Sequence, residues 1–219
     1  MKSTAFVIVT TLALIAWAGS DVSVASNGRD ITSVNGEINA RAGETYDSLS
    51  AVNGSIHVGS GVTAERAKTV NGEIEIDNNA KIGEVSTVNG ELEIGNDVVI
   101  ARNASTVNGS VQLGKSTRVG GDVSTVSGEI EIRGAEVGGL VSTRNGDIDL
   151  TDGAHVRGGI HVKTKNDSGW RFDNDEPLKV HVCSTCVVDG ELRFDRPVEL
   201  RVDAGAKIGK VIGESVTRR

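Results

Sequence analysis

Aromatic side chains are almost missing: three Phe, two Trp and one Tyr in 219 residues. A globular core of ordinary width takes much of its buried area from such rings. This chain therefore calls for a core narrow enough to be filled by Val, Ile and Leu. Its two cysteines are too few for a disulfide framework or a four-cysteine zinc site. Basic charge is in deficit, with 23 Lys and Arg against 30 Asp and Glu and a net charge of −7. That balance argues against nucleic acid or an anionic membrane as partner. It permits metal ions or cationic partners, and equally a surface that is acidic for solubility alone.

Long apolar runs are missing save one, residues 5–16, which follow Lys2. The run is shorter than an ordinary membrane span, so no integral span is expected in the mature chain. Residues 1–18 read as a cleaved secretory signal, with Ala16-Trp17-Ala18 as a small-x-small site. Ser23-Val24-Ala25 offers a second site, so cleavage is expected after residue 18 or 25. An uncleaved anchor is the alternative. No Cys follows the run, which disfavours a lipid-modified Cys. The expected location is periplasmic or extracellular.

Glycine is abundant, 28 residues, against a usual share of about 7%. Seven glycines recur in one setting, Thr69-Val70-Asn71-Gly72-Glu73-Ile74, which returns at 33–38, 51–56, 87–92, 106–111, 125–130 and 143–148. These are Gly36, Gly54, Gly72, Gly90, Gly109, Gly128 and Gly146, spaced 18, 18, 18, 19, 19 and 18 apart. A fixed period marks a repeat architecture. Numbered from the Thr, aliphatics fall at positions 2, 6, 8 and near 14; Val70, Ile76, Ile82 and Val88 are each six apart. Alternation across positions 4 to 8 has the two-residue period of a strand, and Asp77-Asn78-Asn79 is turn chemistry.

Three sixes per unit predict an all-β fold: a single-stranded parallel β-solenoid, triangular in section, with about 18 residues per coil. One coil buries four or five aliphatics, too few to offset the ordering of its backbone, so coils must stack. Asn-Gly is also a strong hairpin signal, which makes an antiparallel meander the rival. A meander, however, has no need of near-identical units at a fixed period. The 19-residue units fit a coil with one extra residue at a corner. Residues 19–32 read as a lead-in or N-terminal cap, 33–212 as solenoid, 163–179 as an ejected polar loop and 213–219 as a polar tail. About nine coils at about 4.8 Å each give a rod about 45 Å long.

Few residues suggest chemistry. Outward positions 5 and 7 are acidic in Glu73, Glu75, Glu91, Glu93, Glu129, Glu131, Asp147 and Asp149. They form either a face for cations or a basic partner, or a solvated surface. Position 16 alternates in sign through Arg66, Glu84 and Arg102, a register ladder. Cys183 and Cys186 form a C-x-x-C without a predicted helix, so a local disulfide is expected in an exported chain. Joined by His161 and His181, the two cysteines are a weak zinc candidate. Trp170 and Phe172 in the loop are candidate partner contacts. The four histidines have no nucleophile context for a hydrolytic triad. No catalytic residue and no cofactor is expected. The Asn residues of the motif, Asn35, Asn53, Asn71, Asn89, Asn108 and Asn145, are expected to stack as a corner ladder, with the glycines beside them allowing a tight turn.

A six-residue aliphatic step with glycine is shared with the hexapeptide acyltransferases, though Ile82-Gly83-Glu84-Val85-Ser86 matches their pattern only in patches. The bare, aromatic-poor Val/Ile/Gly repeats over residues 33–212 are more similar to the bactofilins, polymer-forming bacterial proteins. That resemblance implies a right-handed β-helix that associates end to end and has no active site. The chain departs from it in its export signal, its 163–179 loop and its C-x-x-C. It also resembles β-helical adhesin repeats. Together these imply a non-enzymatic envelope protein that self-associates through its ends. The alternative is an adhesin-like module that binds polysaccharide or protein through the acidic face or the loop.

Overall fold

Along Ile74-Glu75-Ile76 the two isoleucines are buried and the glutamate between them is exposed. This is the pleat of a strand with one face on a core. The structure is a computed structural model and describes residues 23–26, 29–164, 176–213 and 216–218. The signal-like residues 1–18, and Trp170 and Phe172, lie outside the described residues. Among the described residues there is no helix, and so none long and apolar enough to cross a membrane.

Short strands equivalent to Ile74–Ile76 stack in parallel and in register. Ile38 lies on Ile56, Ile56 on Ile74, Ile74 on Leu92, Leu92 on Val111, Val111 on Ile130, Ile130 on Ile148 and Ile148 on Val180. This first face is a ten-stranded sheet, so the fold is a β-solenoid of about nine turns. A coil carries two further faces. In one coil they are Val99–Ile100 and Ala104–Ser105, after Leu92–Ile94 on the first face.

In the lower coils one bent strand makes both the second and third faces: Thr45–Asn53, Thr63–Lys68 and Lys81–Ser86. Above them the strand divides. Ile82 pairs with Ile100, but Val85 pairs with Ala104, so the corner between these two faces has gained a residue. The first nineteenth residue of the period sits there.

The core is a column of buried Ile, Val, Leu and Ala. It differs from the sequence expectation at position 2. Val52, Val70, Val88 and Val107 are exposed, at 39–42%. The inward residue is the one before each: Ala51, Thr69, Thr87 and Thr106 are buried. The third face alternates from Val85, which is buried, to Thr87, and the next residue, Val88, must face out.

A buried hydroxyl needs a partner. Thr69, Thr87, Thr106 and Thr125 each donate from Oγ1 to the carbonyl of the motif glycine one coil below: Gly54, Gly72, Gly90 and Gly109. Those glycines are packed so closely that a Cβ on Gly90 would overlap the Gly72 carbonyl, and one on Gly146 that of Gly128. Close stacking of backbone on backbone is what requires glycine at this corner. On the outside of the same corner Asn53 donates to Asn35, Asn71 to Asn53, Asn89 to Asn71 and Asn108 to Asn89, at 2.8–3.1 Å. The amide ladder meets Ser127 in the next coil, where only the backbone bridge continues, through Ser127 to Asn145.

The stack already includes Asp30–Asn35, which pairs in parallel with residues 48–53. Ser23–Ser26 lies antiparallel on its other edge and covers it. At the far end Val216–Arg218 adds a strand on Val198–Leu200, so the residues read as a polar tail include a strand.

Candidate functional site

The outward residues of the first face form two columns, each acidic in several coils. Glu73, Glu75, Glu91 and Glu93 make one block over two coils. Glu129, Glu131, Asp147 and Asp149 make a second, with Ser110 and Gln112 between the two. Like charges one strand spacing apart repel. Partial burial, then Glu91, Glu93 and Glu75, raises the pKa of Glu73 above the ordinary carboxylate value. Partial burial, then Asp147, Glu131 and Asp149, does the same to Glu129. Arg133 pairs with Glu131 at 3.1 Å and relieves some of the second block.

In the column of Glu75 a histidine bounds the run at each end. His57 Nδ1 is 3.0 Å from Glu75 and its Nε2 is 3.7 Å from Asp77. The donor atoms of these three residues lie within 4.8 Å of one another. They are a set that could take a cation, though they also satisfy each other. The sequence reading missed them because Asp77 belongs to the turn rather than to the outward column. His181, at the other end, lies between Asp149 at 2.7 Å and Asp203 at 3.1 Å.

Cys183 and Cys186 are bonded to each other, so their sulfurs do not offer a thiolate pair to a metal. The other two members of the zinc candidate are apart: His181 is on the first face and His161 on the third, where it contacts Asp195 at 2.6 Å. Glu84 stands opposite Arg66 in register and forms ion pairs with Lys68 at 3.4 Å and Arg102 at 3.8 Å.

Between Ile160–Val162 on the third face and Leu178–Val182 on the first, the sequence has no Asn-Gly pair. One coil higher, at the same corner, a recess of about 410 Å³ is lined by Arg193, Phe194, Asp195, Arg196, Pro197, Ile212 and Gly213. Among the described residues Asp195 is its one carboxylate, and Arg193 and His161 both hold it. The His161 hydrogen bond is the main reason its pKa lies below the ordinary range.

No protein-family model, curated protein or solved structure matches this chain.

Proposed function

We propose that the chain is a non-enzymatic structural or assembly protein of a bacterial cell envelope, exported by its N-terminal signal and associating end to end. The observation that carries this reading is the form of the ladder ends. On the first face Ile38–Ala40 pairs upward with Ile56–Val58, and Val216–Arg218 pairs downward with Val198–Leu200. Among the described residues the outer edge of each has no strand upon it. An unpaired parallel edge is a template for another strand of the same kind. A second copy presents such strands with the same rise and spacing. The Cys183–Cys186 bond supports export, since disulfides persist in oxidising compartments. The antiparallel strand Ser23–Ser26 covers one face at the N-terminal end, so docking there uses the other two faces or displaces it.

Light scattering and electron microscopy of the purified mature protein test the proposal over a range of concentration and salt. Rods whose length grows in steps of one molecule are the expected result. Monomers under every condition would overturn it.

A further inference from the structure

Every histidine in the chain contacts a carboxylate, and three of the four do so across one coil boundary. This seam joins the coil of Ile148–Thr151, His155–Val156 and Ile160–Val162 to the coil of Leu178–Val182, Val187–Val188 and Leu192–Phe194. It is the boundary at which the sequence lacks the Asn-Gly pair of the lower coils. On the first face His181 reaches down to Asp149 at 2.7 Å. On the second, His155 reaches up to Asp189 at 2.6 Å. On the third, His161 reaches up to Asp195 at 2.6 Å. Each side of the triangle thus carries one histidine–aspartate pair.

The seam has also lost what holds other coils at this corner. The bridges that run from Asn53 through Asn71, Asn89, Asn108 and Ser127 to Asn145 end there. Arg196 donates from Nη1 to the Arg144 carbonyl at 3.0 Å in their place. The backbone ladders of the three faces continue, as in Val187 N–H to Ala154 O and Asp195 N–H to Val162 O. The seam is therefore continuous in backbone but carries histidine–aspartate pairs, where the boundaries from Asn53 to Asn108 carry amide and threonine ladders.

We propose that this seam is a pH-set joint in the rod, held by one histidine–aspartate pair on each face and tighter in mildly acidic than in mildly alkaline solution. The surrounding charges fit that behaviour. His181 faces Asp149 from below and Asp203 and Arg201 from above, and Arg201 is itself held by Asp203. His155 faces Asp189 above and stands in register with Glu136 below, which Arg118 and Arg157 pair. His161 faces Asp195 and Arg193 above, with Arg193 turned onto Asp195, and Ser142 and Lys163 on the other side. Partial burial lowers the His181 pKa, but the hydrogen bonds to Asp203 and Asp149 outweigh it and raise it overall. A raised histidine stabilises below its unfolded value and loses that contribution as pH rises through its folded value. Asp195 and Asp203 are lowered, first by their histidine hydrogen bonds, so their share is lost only in stronger acid.

Amide hydrogen exchange on the full chain, corrected for intrinsic rates, tests this at about pH 5.5 and about pH 8.5, on either side of the usual histidine value near 6.5. The strands of the seam are expected to lose more protection at the higher pH than the histidine-free strands between 92 and 124. Replacing all three, His155→Gln, His161→Gln and His181→Gln, should remove that difference, while His57→Gln should leave it. Should the triple variant not fold, His181→Gln alone should reduce the difference on the first face. Seam strands that track the rest of the rod at both pH values would overturn the joint. So would a triple variant with the wild-type pH profile.

Discussion

Thr87 and Thr143 hold equivalent places in their coils, yet their hydroxyls differ. Thr87 Oγ1 donates to Gly72 O at 3.1 Å. Thr143 is equally buried, and its Oγ1 finds no partner among the described residues. Removing a made hydrogen bond costs about 1 kcal/mol, whereas removing an unsatisfied buried hydroxyl gains a similar amount. Thr87→Val should therefore destabilise by about 1 kcal/mol and Thr143→Val should be neutral or stabilising by up to about 1 kcal/mol, read from urea midpoints at constant slope. Equal losses at both sites would refute the distinction. The sequence carries this inner position as Thr beside a more hydrophobic Val. Ranking by hydrophobicity picks the Val, while counting alternation from Val85 picks the Thr. The need for glycine at the corner was legible as a recurrence, but its cause, the carbonyl of the coil below, appears only once the coils are stacked.

At the scale of the strand, the outward columns were legible because position within the repeat fixes the face. How the charges pair was not, since Asp77, Asp189 and Asp195 come from turns and corners outside those columns. The two acidic blocks have a consequence in pH. Glu73 and Glu129 have folded pKa values raised above that of an ordinary glutamate, first through burial and then through neighbouring carboxylates. The folded state therefore holds protons that the unfolded chain has lost, and stability falls as pH rises through that range. Replacing Glu73→Gln together with Glu129→Gln removes the repulsion. On a face this exposed, solvent screening limits the gain at neutral pH to a few tenths of a kcal/mol. The gain should largely vanish at about pH 2.5, more than a unit below the usual Asp and Glu values, where the wild-type acids are protonated. Chemical denaturation at the two pH values measures it. A loss of stability at neutral pH would mean that these carboxylates are held by a partner charge.

For the whole rod, the period alone predicted stacking, because no coil can bury its own apolar face. The seam could not be foreseen in the same way. The loop hides the return of the repeat, so that Ile148 meets Val180 rather than a residue 18 or 19 positions on. The register also makes the rod divisible. Ile74 lies on Leu92 and Glu75 on Glu93, so deleting residues 75–92 joins Ile74 to Glu93 and leaves every residue above facing as before. The shortened chain should fold cooperatively with unchanged β-sheet circular dichroism per residue. Its thermal midpoint should be lower, because one coil interface is lost. Deleting about half that length should abolish folding, because it moves the aliphatics of one face onto another and turns core positions outward. If both deletions are tolerated alike, register does not organise the stack. If neither is, the coils are not interchangeable units, and the one-dimensional picture of the rod fails.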